Sequence, residues 1–191
     1  PHVTTADIAD EMNISPGNLY YHFRNKDDII GELYAAYEQS VLPVLTVPED
    51  PAPGVEDLWF MLHLLFERMR DYRFLYRDLD EITSRNRKLA TRFAELSRRG
   101  ESTVIALCRG LVRSGQMQAT EREIGAIAAN VALVSTYWMS WQRVTSARSA
   151  GAGDNPQESL DRAAYQVMAL IAPFLVGDGR TLIERLGEDY L

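Results

Sequence analysis

The side chains best suited to chemistry crowd into one short stretch. Ser15, Gly17, Asn18, Tyr20, Tyr21 and His22 stand together, with Thr4, Thr5 and Lys26 flanking them. Hydroxyls, an amide and an imidazole at this density form neither an acid–base pair nor a metal set. They suit hydrogen bonding to phosphate oxygens and to base edges.

Two short helices must position them. Ser15 reads as an N-cap, and Pro16 occupies the first helical position, where its missing N–H costs nothing. The helix that follows runs to about Phe23, with only Leu19 and Phe23, four apart, placed to face inward. Gly17, Asn18, Tyr20, Tyr21 and His22 are left pointing out. Before it, Thr4 or Thr5 caps a helix expected to bury Ile8, Ala9 and Met12, and Ile14 fills the space between the two. A helix, a tight turn and a second helix with a polar outer face is the pattern of helix-turn-helix DNA readers.

The segment TTADIA followed by ISPGNLYYHFRNKDDI resembles the signature of the TetR/AcrR-type bacterial transcriptional regulators. Members often carry Ala-Gly before the turn, where this chain has Met12-Asn13. Asn tolerates a left-handed backbone nearly as Gly does, so the turn is expected to survive. The family's first helix, which would precede Val3, is absent and the chain opens on Pro1, so a longer gene product is expected. Beyond about residue 45 the resemblance is one of helical layout, although YRFLYRDLDEI, residues 72–82, is similar to a segment of one subgroup.

The resemblance implies that the motif residues make the DNA contacts. Ser15 and the Gly17 backbone lie at a helix N-terminus, where N–H groups point at phosphate, and Thr4 and Thr5 start the other helix in the same way. Tyr20, Tyr21 and His22 form the exposed face, and Tyr21 or Asn18 could reach base edges. Lys26 suits a backbone phosphate. The alternative for Tyr20 and His22 is packing against the missing first helix.

Charge opposes this reading. The net charge is −7, and residues 1–40 hold only Arg24 and Lys26 against Asp7, Asp10, Glu11, Asp27, Asp28, Glu32 and Glu38. Phosphate contacts drive affinity for DNA, and nearby acids repel it. Asp27 and Asp28, however, open a helix whose N-terminal dipole favours them. Phosphate must be held mainly by neutral donors and helix N-termini, so modest non-specific binding and a dependence on dimerisation are expected.

The length of 191 residues is ample for a core, and no apolar run reaches the roughly 20 residues of a membrane span. The single Cys108 excludes an internal disulfide and a Cys-based metal cage, and within VIALCRGLV it reads as a small buried residue. These features suit the cytoplasm. The three histidines, His2, His22 and His63, have no Glu three residues before them, so the di-iron motif of helical bundles is missing. No phosphate loop, zinc-binding helix or triad is visible. An enzyme is not expected, and neither is a cofactor.

The remainder reads as helices, which makes the chain all-α. The expected spans are 26–45, 55–69, 74–82, 87–113, 121–144, 157–174 and 180–186, with turns at 48–54 and 146–156 and a stop at Gly115. Residues 1–45 form the DNA-binding part with its connecting helix, and 46–191 a regulatory and dimerisation part. In 121–144, Ile124, Ile127, Val131, Val134, Trp138 and Trp141 form one seam by steps of three and four, and other apolar residues cover most of the circumference. A helix apolar on most sides is buried on most sides. Together with Val167, Leu170 and Phe174 of the last large helix, Ile124, Ile127, Val131 and Val134 are expected to form a four-helix dimer interface. The alternative is a pair of central helices in a monomer.

A dimer reads a palindrome, and an inducer would act by preferring the DNA-incompetent state. Trp59, His63, Phe66, Met69, Tyr137, Trp138 and Trp141 are the candidate lining of an effector cavity for a small apolar or aromatic molecule. The competing reading of such a stripe is plain core. The basic run Arg85, Arg87, Lys88, Arg92, Arg98 and Arg99 reads as a solvated face. The rival function is a helical protein-interaction adaptor without small-molecule sensing.

Overall fold

In a computed structural model the described residues are 3–47, 53–146 and 156–188. They form ten α-helices: α1 (Thr5–Glu11), α2 (Pro16–His22), α3 (Lys26–Val41), α4 (Val55–Asp71), α5 (Arg73–Arg77), α6 (Leu79–Arg85), α7 (Arg87–Arg113), α8 (Glu121–Ser146), α9 (Pro156–Ile171) and α10 (Asp178–Glu188). A 3-10 turn, Ala172–Phe174, extends α9. Among the described residues the sole β pairing is an isolated bridge between Met117 and Leu175. The chain is all-α, as its periodicity predicts. The turn expected at 48–54 lies mostly outside the described residues, as does the loop at 146–156.

Local chemistry sets the boundaries. Thr4 caps α1 through a reciprocal box, its hydroxyl accepting from Asp7 N while the Asp7 carboxylate accepts from Thr4 N at 2.7 Å. Asn25 caps α3 and Asn86 caps α7, each through its side-chain carbonyl. α3 ends at Val41, short of the expected 45, because Pro43 cannot continue the ladder. The helix expected over 74–82 is two helices, broken at Asp78. Gly115 stops α7 with φ 74°, a left-handed conformation that suits glycine.

The core gathers where α8 packs between α7 and α9 and where α4 packs on α9. Leu58, Leu62 and Met69 of α4, Leu107 and Leu111 of α7, and Val167 and Ile171 of α9 are fully enclosed. Gly110 permits one close approach, since a Cβ there would collide with the Pro53 ring ahead of α4. α3 joins this body through α4 and α7. The Thr103 hydroxyl of α7 donates to the Leu45 carbonyl at 2.8 Å and fixes the segment just beyond α3. α3 is therefore anchored at one end in the body and at the other carries α1 and α2.

Candidate nucleic-acid interface and internal cavity

α1 and α2 pack on a very small core. Ala9 and Leu19 are fully buried, and Ile8, Ile14 and Phe23 are half-buried. Met12, expected inside, is 60% exposed. It is the C-cap of α1, where the chain leaves the helix through Asn13 at φ 53° and its side chain is carried outward. Asn13 thus takes the left-handed role expected of it, with the Asn13 and Ile14 N–H groups closing on the Asp10 and Ala9 carbonyls.

α2 begins as its sequence predicts. The Ser15 hydroxyl accepts from Asn18 N at 3.2 Å, and Pro16 sits in the first turn. Leu19 points in at 5% exposure, while Gly17, Asn18, Tyr20, Tyr21 and His22 all face solvent. Tyr21 is 85% exposed, and its ring meets His22 edge-on at 5.1 Å. Among the described residues the only atom near a would-be Cβ at Gly17 is Ser15 Oγ at 4.0 Å, so packing places no demand on this glycine. Its absent side chain leaves the exposed backbone at Gly17 open to close approach.

The flanking residues differ among themselves. Thr4 is exposed but its hydroxyl is engaged with the Asp7 carboxylate at 2.7 Å. The same bonds from Thr4 hold Asp7 below the usual carboxylate range, the backbone N–H contributing most. Thr5 is half-buried. Lys26 is half-buried too, in the wall of a groove where α1 and α3 face α5 and α6. Three acids of this region, Asp7, Asp27 and Asp28, are committed to helix starts. The Asp28 carboxylate accepts from Arg24 N at 3.1 Å, and Asp27 and Asp28 both stand in the first turn of α3.

A second group of side chains joins α3 to the body. Tyr37 of α3 and Tyr76 of α5 share a hydrogen bond between their hydroxyls in the buried interior. Burial pushes Tyr37 well above its ordinary pKa, and pushes Tyr76 up to about 12. The Tyr34 and Tyr76 rings both pack on Phe93 of α7. Arg92 of α7 pairs with Glu38 of α3 at 2.6 Å.

An internal cavity lies between α3, α4, α7 and α8, with a volume of about 70 Å³. Its wall includes Tyr37, Met61, Leu62, Met69, Phe93 and Ser135. Of the expected lining, only Met69 is there. Phe66 is buried in the core beside it, and Trp59 and His63 stack on each other on another face of α4. Tyr137 and Trp141 are turned to solvent, at 45% and 56% exposure, and half-buried Trp138 leans on Trp141. Size and aromaticity mark residues that can line a cavity. Which side of α8 meets α7 and α9 depends on packing that a helical period alone does not reveal.

The expected dimer seam is likewise turned inward. Ile124, Ile127, Val131 and Val167 are buried within the single chain. Val134, Leu170 and Phe174 are half-buried. The apolar row that α8 does present outward is Leu133, Tyr137, Trp141 and Val144. With two apolar stripes on α8, the periodicity does not say which belongs to the protein's own core. Sequence reasoning also missed Tyr37, Tyr76 and Ser135. The first two were visible only as aromatics, and Ser135 only as a polar interruption of an apolar helix.

Among the described residues no group of His, Cys, Asp and Glu could hold a metal ion, and no helix is long and apolar enough to cross a membrane. No curated protein matches the chain. Residues 1–33 match the family model described as bacterial regulatory proteins, tetR family, and residues 36–183 match TetR, described as bacterial transcriptional repressor. The crystal structure of a TetR-family transcriptional regulator from Marinobacter aquaeolei VT8 superposes with a TM-score of 0.85 at 34% identity, over 99% of this chain and 89% of that one. A small helix pair with a polar outer helix, borne on a helical body, is thus matched in both parts, and the chain belongs to the TetR family of bacterial transcriptional regulators.

Proposed function

We propose that this regulator binds a palindromic operator as a homodimer, represses transcription there, and is released by a small apolar or aromatic effector. Residues 1–45 read the DNA and residues 46–191 sense and dimerise. The observation that carries the reading is the division of α2: Leu19 holds it from inside while Asn18, Tyr20, Tyr21 and His22 are all free of the protein core. A helix with so little buried apolar surface has its outer face reserved for a partner, and hydroxyls with an amide suit phosphate and base edges.

The second copy seats on the outward row of α8, where Leu133, Tyr137, Trp141 and Val144 leave more apolar surface than a solvated helix needs. Dimerisation sets two α2 helices about one DNA turn apart, ~34–36 Å. The effector enters the cavity beside Tyr37, on the helix that carries the reading pair. Repression follows the description of the matched family model.

A gel shift with the DNA upstream of the protein's own gene tests the reading. A retarded band competed away by unlabelled specific DNA but not by bulk DNA is expected. Equal competition by both would refute it.

A further inference from the structure

We propose that the effector is an uncharged, mainly hydrocarbon molecule with a single hydroxyl or carbonyl, and that this group bonds Ser135 of α8. The inference rests on the effector-gated reading above and narrows it to one chemical class and one contact.

Among the described residues the cavity wall carries no charged side chain. An ionised ligand would lose its hydration there with no counter-charge in return, which strongly disfavours acids and amines. The wall is not featureless, however. Ser135 is only 9% exposed, and its hydroxyl is buried with no hydrogen-bond partner among the described residues. A buried hydroxyl left unpaired is unfavourable, so a ligand atom that accepts from it or donates to it gains more than the same atom would elsewhere. The hydroxyls of Tyr37 and Tyr76 in the wall already satisfy each other. Ser97 and Thr136 also line it but are only half-buried, so their hydroxyls are less desolvated and gain less from a ligand. Ser135 is therefore the polar anchor.

Size gives the coupling. At about 70 Å³ the cavity is well below the ~300–1,000 Å³ of typical ligand sites. Occupancy must push the walls apart. Met61 and Met69 can repack. Tyr37, on α3, is tied to Tyr76 of the same wall, so pushing on either strains the bond that joins α3 to α5. A hydrocarbon that widens the cavity thereby loosens the hold on the helix that carries α1 and α2.

The test compares 1-hexanol, hexane and hexylammonium as probes of the whole chain, with binding followed by ligand-observed NMR and by thermal shift. The expected order is hexanol, then hexane, then hexylammonium, with hexanol about 3- to 10-fold tighter than hexane, the factor that one hydrogen bond supplies. Ser135→Ala should erase the difference between hexanol and hexane. The ranking on the unaltered protein needs no variant, so a folding defect cannot mask the answer. Hexylammonium binding as well as hexanol would overturn the proposal, and so would an undiminished hexanol advantage in Ser135→Ala or binding of none of the three. A gel shift on the same preparation separates the two claims. If DNA is bound specifically but the probe ranking fails, the ligand assignment falls and the regulator reading stands.

Discussion

Arg92 of α7 meets Glu38 of α3 at 2.6 Å, and its guanidinium carbon lies 4.9 Å from the centre of the Tyr34 ring on the same helix. Both side chains are about three-quarters buried, which places the pair between a solvated surface bridge and an interior one. It clamps the stem of the DNA-reading pair to the longest helix of the body.

Breaking that clamp should cost stability and also DNA affinity. Glu38→Gln is expected to lower unfolding free energy by about 1–2 kcal/mol, since Arg92 loses its counter-charge in a half-desolvated site. A stem less firmly held spends less time in the DNA-competent position, so operator affinity should fall as well. Urea unfolding and fluorescence anisotropy on the same variant check both. Unchanged values in the two assays would show that the clamp is idle.

Gly17 separates reading from folding. Because no described residue crowds it, Gly17→Ala should raise stability by about 0.5–1 kcal/mol through helix propensity. The same methyl should weaken operator binding, because it stands where the backbone must approach phosphate. Thermal melting and anisotropy are expected to move in opposite directions.

The outer face of α2 should behave as pure function. Tyr21→Ala removes a side chain that is 85% exposed, so stability should change by no more than ~0.5 kcal/mol. Operator affinity should drop by about 1–3 kcal/mol if Tyr21 touches a base edge. Lys26→Ala should weaken binding to all sequences alike and reduce the salt slope by about one per protomer. Titrations at several salt concentrations distinguish the two kinds of contact.

The reading pair was legible in the sequence because its signals are local. A cap at Ser15, a proline at the first helical position and a four-residue apolar step to Phe23 each act within one turn of chain. Asn13 likewise declares its own backbone preference. Helix spans were legible for the same reason: α7 falls at 87–113 as expected. The sides of the long helices were not. α8 carries two apolar stripes, and only its packing against α7 and α9 decides that Ile127 and Val131 point in while Leu133 and Trp141 point out. The break at Asp78 and the cavity beside Ser135 are also tertiary in origin.

That outward stripe gives a prediction of its own. Leu133→Asp together with Trp141→Asp places charge at the centre of the proposed dimer face, where each side chain is now mostly solvated. The folded protomer should be nearly unaffected, and light scattering after size exclusion should report a monomer. Val131→Ala should instead lower stability by about 0.5–2 kcal/mol without changing the oligomeric state, since Val131 lies in the protomer's own core.

Alkaline pH should unfold the protein through its buried acids. Burial raises the Cys108 thiol from its ordinary 9.0 to about 11 and the Tyr76 hydroxyl from 10.0 to about 12, and Tyr37 is raised well above its ordinary value. The folded chain keeps protons that the unfolded chain releases. Stability is therefore full below pH 9 and falls as pH rises towards 12. Denaturant midpoints across this window should decline, and less steeply for Tyr76→Phe above pH 10.

In vitro selection of double-stranded DNA from a random pool reaches the central claim most directly. The account predicts enrichment of a palindrome with half-sites about one helical turn apart, bound by two protomers and no longer enriched by Tyr21→Ala. No enrichment, or an asymmetric site held by one protomer and indifferent to Tyr21, would contradict it.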